Sequence, residues 1–435
     1  VTIAVNFYNR EVETCSRDEL RTLQERRLRE LTRELTANWF YQEKSRGAGI
    51  ELARIESAQD LHELPFTTKQ ELIDQQTGHP PFGRLLTYPL SCYRYFHQTS
   101  GTSGRPLKWL DTEDSWSWWI RCWGYVYRGA GVNSEDVVFC AFSFGPYMSH
   151  WTAMAGAWHV GAMCISGGGM NSEQRLQSLI DNRATVLVCT PTYALHLAEI
   201  ARGLGIDLRE SAVRIGIYAG EPGASLPNVK RAIEAAWGAT CFDHAGATEA
   251  GAWAFDCEAQ TGAIHLNEAE FIFEVIDPRS GTLIGEGKRG ELVITNLGRA
   301  GMPVLRYRTG DLVELTTESC PCGRNFARIR GGVLGRADDM IIVRGVNLYP
   351  GAIDDLIRGV PLVFEYEVEI SLVAGMDELL IRIETADVAS FEEAARRLTH
   401  SFRTAHSIRV SVEQSPPGSL PRYEFKSRRF KRPPS

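Results

Sequence analysis

The stretch 184–222, "ATVLVCTPTYALHLAEIARGLGIDLRESAVRIGIYAGEP", decides the fold class. A short apolar run, "ATVLVCTP", gives way to a helix-like segment, "YALHLAEIARGLG", and a second apolar run, "VRIGIYAG", follows. Strand, helix and strand in that order make one parallel βαβ unit. The alternation continues in both directions. Upstream lie the strand-like "DVVFCAFSF" (136–144) and the helix-like "EQRLQSLIDNR" (173–183). Downstream lie the helix-like "SLPNVKRAIEAAWG" (225–238) and the strand-like "ATCFDH" (239–244). In such sheets ligands sit just past the carboxyl ends of the strands. The strand-end segments "YAGEPG" (218–223) and "DHAGATEAG" (243–251) are therefore where chemistry is expected.

The flanks have a different texture. The first seventy residues read helical. Ser16 and Glu19 have capping-box spacing ahead of Leu20, Leu23, Leu28, Leu31 and Leu35, and Thr68 and Glu71 repeat that spacing. Past 265 the chain is β-rich, with "FIFEVIDPRSG", "GELVITNL" and "VLRYRTGDLVEL" separated by turn signals. From "GRADDMIIVRG" (335–345) onward, the strands "FEYEVEISLV" and "ELLIRIET" and the amphipathic helix "SFEEAARRLTHSFRTA" read as a small α+β domain. The expected architecture is α/β. Residues 1–335 form a large N-terminal domain with mixed and parallel βαβ sheets plus a β-rich subdomain, and residues 336–435 a small mobile C-terminal domain.

A chain of 435 residues suits one large domain and a smaller one. Its 43% hydrophobic and 23% charged residues are those of a globular protein. Net charge is −7 and the pI about 5.9, so nucleic acid is not the default partner. No window has the apolar run needed to span a membrane, and the first residues lack a signal-peptide pattern. Most of the ten cysteines, such as Cys140 and Cys189, stand alone in apolar runs and read as buried and reduced. A cytoplasmic enzyme is the expectation.

The segment "HQTSGTSGRPLK" (97–108) is a Gly- and hydroxyl-rich loop ending in lysine, a set of groups that can converge on a phosphate. It is not G-x-x-x-x-G-K-[ST]. Glu221 and Glu249 put one carboxylate at each of two strand ends. Glu249, beside a phosphate loop, suits magnesium, which takes one or two carboxylates plus phosphate oxygens. Asp311 in "YRTGDL" is a carboxylate on a tight turn, able to take two ribose hydroxyls.

Together "TSGTSGRPLK", "YAGEP", "ATE", "YRTGDL", "GRADDMIIVRGVNLYP" and "LPRYEFKSRRF" resemble the adenylate-forming (acyl-activating) superfamily. "LPFTTK" and "CPCGR" point within it to the phenylacetate–coenzyme A ligase branch. The resemblance runs from residue 60 to 430. It implies a two-step ligase: a carboxylate attacks the α-phosphate of ATP, giving acyl-AMP and pyrophosphate, and a thiol then displaces AMP. It assigns Thr99, Ser100, Gly101, Thr102, Ser103, Gly104 and Lys108 to the β- and γ-phosphates, Thr248 to a phosphate oxygen, and Glu249 to Mg²⁺. Gly220, Glu221 and Pro222 would lie along adenine, and Asp311 with Arg336 would bind ribose. Lys426 matches the late catalytic lysine, which bridges carboxylate and α-phosphate. Asp338 is the hinge on which the small domain turns, and Arg344 and Gly345 line the path of the thiol. The acceptor is coenzyme A, with a carrier-protein thiol or an amine as the alternative. A homodimer is compatible with the branch. A γ-phosphoryl-transferring kinase would release ADP and lacks support in the loop.

Two features remain. Cys257, His265, Cys320 and Cys322 make a Cys₃His set, a regular structural zinc combination, against the alternative of two unrelated loops with reduced thiols. The acid pocket of the resembled family falls on Phe144, Tyr147, His150, Trp151, Ala219, His244, Ala245 and Gly246. Aromatic walls over small floor residues suit a flat ring. His244 and Ala245 depart from the aromatic residue many relatives carry there. The expected substrate is thus a substituted aryl acid of secondary metabolism rather than phenylacetate itself. The stripe Trp116, Trp119 and Trp123 reads as a helix packed on the core.

Overall fold

The computed structural model describes residues 5–99, 106–343, 346–373, 376–424 and 427–431. Both N-terminal capping boxes form. Ser16 and Glu19 cap the helix Arg17–Glu34, and Thr68 and Glu71 cap Lys69–Gly78. Each satisfies two backbone N–H groups that a helix start otherwise leaves open. An antiparallel hairpin follows, β1 (Tyr93–Gln98) and β2 (Lys108–Thr112).

The centre of the molecule is a twelve-stranded sheet. Its parallel half holds β3 (Val137–Cys140), β4 (Met163–Ser166), β5 (Val186–Cys189), β6 (Ile215–Tyr218) and β7 (Thr240–Ala247), in the order β4-β3-β5-β6-β7. The run Val186–Cys189 is buried at every position because helices cover both faces. On one face Leu176, Leu179, Tyr193, Leu197, Ile233 and Trp237 pack from the helices Ser172–Asp181, Pro191–Gly203 and Pro227–Trp237. On the other lie the helices Glu113–Gly129 and Met148–His159. Glu113–Gly129 carries more than one buried stripe. Trp118, Trp119, Cys122, Trp123, Tyr125, Val126 and Tyr127 are all buried, because the helix is enclosed by Met148–His159, β1 and the strand after β7. Trp116 sits at the rim, stacked on Tyr95 at 4.3 Å.

The β-rich segment extends this sheet rather than standing apart. β8 (Gly251–Phe255) pairs antiparallel with β7, and β9 (Ala263–Leu266) with β8. The rest of the antiparallel half comprises β10 (Phe271–Ile276), β11 (Arg289–Asn296), β12 (Tyr307–Thr316) and β13 (Arg328–Arg330), with β14 (Gly335–Arg336) on β12. The reversal between β7 and β8 needs Gly251. Its φ is +130°, and a Cβ there would lie 2.6 Å from the ring of Trp118.

Residues beyond 340 have their own core, including Ile341, Ile353, Ile357, Val368, Ile381, Leu398 and Phe402. β15 (Ile341–Val343) pairs with β16 (Val346–Leu348). β17 (Glu365–Val373) and β18 (Met376–Glu384) form a hairpin flanked by parallel β20 (Phe430–Lys431) and β19 (Ser411–Ser415). The helices Pro350–Arg358 and Val388–His406 complete it. Among the described residues no helix is long and apolar enough to cross a membrane.

Candidate active site

Between β1 and β2 the loop carrying Ser100, Gly101, Thr102, Ser103 and Gly104 lies outside the described residues, as do Arg344, Gly345 and Lys426. Its neck is described. Thr99 N donates to Leu107 O (2.9 Å), and Leu107 N donates to the Thr99 hydroxyl (3.0 Å). Lys108 is held by its backbone, which donates to Gln76 Oε1 (2.9 Å) and accepts from Gln76 Nε2 (2.6 Å). Thr99, Leu107 and Lys108 are thus fixed, at the hairpin beside the helix Lys69–Gly78.

At the end of β7 the turn bearing Thr248 and Glu249 is clamped by a residue the sequence did not single out. Arg299, fully buried, donates from Nη1 to the carbonyls of Thr248 (2.6 Å) and Glu249 (3.2 Å). Its other donors grip both oxygens of Asp111, at 2.7 and 2.6 Å. The Asp111 fork thereby ties β2, which follows the phosphate-type loop, to the Glu249 turn. The Glu249 carboxylate is buried, accepts from the Tyr307 hydroxyl (3.4 Å) and has Lys69 Nζ 3.9 Å away. Lys69 closes "LPFTTK" and adds a cation that sequence reasoning left outside the site.

Asp311, Arg336 and Asp338 come together. Register places Asp311 opposite Arg336 across β12 and β14. Arg336 Nη1 is 3.5 Å from Asp311 Oδ1 and donates to Thr309 O (3.2 Å), while its Nε donates to Asp338 Oδ1 (2.9 Å). Gly310, φ +77°, lets the guanidinium approach, since a Cβ there would lie 2.7 Å from Nη2. Past β6, Gly220 turns with φ +94° and Pro222 packs against Gly351 of the small unit. The Glu221 carboxylate accepts from the backbone N–H groups of Thr192 and Ser427, each at 2.9 Å.

The residues expected to line an acid pocket lie on the loop after β3, the start of Met148–His159 and the ends of β6 and β7. Phe142 stacks on His150 at 4.2 Å, Tyr147 lies 5.6 Å from His150, and Phe144 meets Trp151 edge-on at 4.7 Å. Trp151 is 46% exposed and donates its indole N–H to Gly145 O (2.9 Å). His244 is buried against Trp123, its Nδ1 bonded to Ala254 O (2.8 Å). That bond makes Nδ1 the protonated nitrogen and leaves Nε2 an acceptor. Burial holds His150 and His244 each at a pKa of about 4, so both are neutral at pH 7. Ala219, Ala245 and Gly246 add little bulk at the strand ends.

The four candidate metal ligands converge. Cys257 follows β8, His265 sits on β9, and Cys320 and Cys322 occupy the loop before β13; all four are buried, with ligand atoms within 4.8 Å of one another. Cys257 Sγ to Cys320 Sγ is 3.7 Å, and Cys322 Sγ to His265 Nε2 is 3.4 Å. Zn–S near 2.3 Å and Zn–N near 2.0 Å give tetrahedral edges of roughly 3.8 and 3.5 Å. The set therefore fits zinc. The S–H groups of Cys257 and Cys320 draw the Cys322 thiol far below its usual range.

Comparison with known proteins shows the family of the chain. The AMP-binding enzyme family model matches residues 93–301, and that of the AMP-binding enzyme C-terminal domain matches 345–432. The chain is 31% identical to the phenylacetate-coenzyme A ligase of Thermus thermophilus over 96% of its own length and 97% of the relative. It is 30% identical to the Escherichia coli K12 phenylacetate-coenzyme A ligase over 96% and 95%. Among solved structures, 2-hydroxyisobutyryl-CoA ligase in the postadenylation state with 2-HIB-AMP matches with TM-score 0.93 and 30% identity, over 99% of this chain and 93% of that one. The same ligase in the thioesterification state, with 2-HIB-AMP and CoA, matches with TM-score 0.74 at 31% identity, over 97% and 91%. The chain thus belongs to the AMP-binding enzyme family, in its adenylate-forming, phenylacetate–coenzyme A ligase-like branch.

Proposed function

We propose that the protein couples an aryl carboxylic acid to coenzyme A at the cost of ATP cleaved to AMP and pyrophosphate. The acid's carboxylate forms the bond to the α-phosphorus and pyrophosphate leaves. The thiol then forms the thioester, AMP leaves, and the thiol proton goes to solvent. The observation that carries this reading is the meeting of the Asp111–Arg299-clamped Glu249 turn with the Tyr307–Arg336 strand ends beside the neck of the Thr99–Lys108 loop.

In this reading Thr99, the Gly-rich loop and Lys108 take the β- and γ-phosphates, with Thr248 on a phosphate oxygen. Glu249 holds Mg²⁺, which when bound offsets the phosphate charge. Gly220 to Pro222 lie along adenine, the carboxylate of Glu221 facing the C-terminal segment. Asp311 takes the ribose hydroxyls and Arg336 supports it. Lys426 meets the charge that builds between carboxylate and α-phosphate, a task suited to a compact ammonium. The unit 336–435 turns about Asp338 between half-reactions and brings Arg344 and Gly345 to the thiol. An aromatic substrate is favoured by the Phe144, Tyr147, His150 and Trp151 rings over Ala219, Ala245 and Gly246. A ring hydroxyl or amine suits the acceptor nitrogen of His244. Cys257, His265, Cys320 and Cys322 hold a structural zinc that joins the loops around β9 and takes no part in the chemistry.

The test is Lys426→Ala. Acid-dependent pyrophosphate release should fall by about 10³-fold or more, the scale of a lost transition-state charge contact. Thioester formation from synthetic acyl-AMP and coenzyme A should stay within a few-fold of wild type. Equal loss in both halves would contradict the assigned role.

A further inference from the structure

We propose that Glu221 is a positioning residue that docks the Lys426 segment on the large domain for the adenylation half-reaction and releases it for thiol transfer. This deepens the ligase reading and rests on it. One carboxylate oxygen of Glu221 accepts from Thr192 N, the second residue of the helix Pro191–Gly203, where backbone N–H groups point outward and favour an anion. The other accepts from Ser427 N, the residue after Lys426. One anion thus joins a helix start of the large domain to the backbone beside the lysine.

Three further contacts are made by residues near 426 in sequence. Arg422 donates from Nη2 to Glu199 Oε1 (2.7 Å), on the helix Pro191–Gly203, and to Glu384 Oε2 (2.8 Å), at the end of β18. Glu424 accepts from the Ser172 hydroxyl (3.4 Å) and lies 3.5 Å from Nη1 of buried Arg175. Arg429, paired with Glu365 of the small unit, reaches Thr192 Oγ1 at 3.1 Å. The anchors fall at 422, 424, 427 and 429, two before the lysine and two after it. All are charged or polar, and three of the four involve an ion pair or an ionised acceptor. Such contacts are strong when aligned yet exchange readily for water, as a segment that must dock and leave requires. An apolar seal would hold the posture more tightly than turnover allows.

The experiment uses the full chain and the variants Glu221→Gln and Glu199→Gln. Gln keeps the size of Glu221 but turns an NH₂ toward one of the two backbone donors. Amide hydrogen exchange of the 420–431 peptide, with a peptide from Val388–His406 as control, reads the dock without substrate. Acid-dependent ATP–pyrophosphate exchange reads adenylation, and thioester formation from synthetic acyl-AMP reads transfer. In both variants exchange in 420–431 should quicken about tenfold and adenylation kcat fall about tenfold, the loss of one charge-assisted bond. In Glu199→Gln, which lies outside the nucleotide site, KM for ATP should stay within about twofold and transfer should be unchanged or faster; the control peptide should be unchanged in both variants. Unchanged protection at 420–431 would overturn the proposal. So would a raised KM for ATP with kcat intact, which would make Glu221 a nucleotide contact only. So would equal loss in both halves with a lower melting temperature. If the wild type activates no acid, the ligase reading fails, while the exchange data still decide whether Glu221 holds Ser427.

Discussion

Arg299 stands in "LGRAGMP", outside every stretch the sequence reading singled out. Its importance lies in partners 188 and about 50 positions away, which no local pattern reports. The guanidinium and Asp111 are both fully buried, so each is tolerable only because the other is present. Arg299→Met should therefore cost about 3–5 kcal/mol in unfolding free energy, the usual result of leaving one buried charge without its partner. Arg299→Lys should recover only part of it, because an ammonium cannot make the same fork. Denaturant titration reads both, and an Arg299→Met protein as stable as wild type would remove the clamp from the account. Glu249, Asp311 and Lys426 were legible as candidates because each carries the chemistry of a short signature; Lys69 and Tyr307 stand in the quoted stretches "LPFTTK" and "YRTGDL" but were not singled out, because their approach to Glu249 is set by tertiary packing.

Capping boxes and βαβ alternation are local, and they were readable at Ser16, Thr68 and the runs from 136 to 244. Strand order is not local. The β-rich segment was legible as a subdomain of the large domain, but its pairing was not, because its runs look alike wherever they pair; the turn at Gly251 sends β8 back along β7 and joins the two halves in one sheet. The Cys/His set gains its meaning from that fusion. β8, β9 and the loop before β13 become neighbours, and thiols 63 residues apart come within 3.7 Å. A metal there would pin loops whose apolar packing is a small cluster of Cys257, Cys320 and Cys322 with Val5 and Ala259. Replacing Cys320 and Cys322 together by Ser should remove about one equivalent of zinc per chain and lower the melting temperature by several degrees. KM for ATP should change little. Metal-free wild-type protein by elemental analysis, with an unaltered melting curve in the variant, would return these cysteines to the role of packed thiols.

At the scale of the whole molecule, the informative contrast is between two states of one relative. The chain matches the postadenylation form with TM-score 0.93 and the thioesterification form with 0.74, at nearly equal identity. Sequence distance is thus the same, and the difference is one of posture. The structure is in the arrangement of the first, with Arg422, Glu424, Ser427 and Arg429 seated on the large domain. That posture was not legible in the sequence, since nothing in "LPRYEFKSRRF" says which surface receives it. The Arg336 and Asp338 side chains are 41% and 66% exposed, where the bonds between them can open and reform at low cost.

The central claim is that a carboxylic acid, ATP and coenzyme A react here through an acyl-adenylate. The direct measurement follows nucleotide products with ATP, Mg²⁺ and a panel of aryl and aliphatic acids, each with and without coenzyme A. The account predicts AMP and pyrophosphate in equal amounts, dependent on an aryl acid bearing a ring hydroxyl or amine. It also predicts turnover raised by coenzyme A and a matching yield of thioester. ADP and inorganic phosphate as products, or no acid-dependent nucleotide cleavage with any member of the panel, would contradict it.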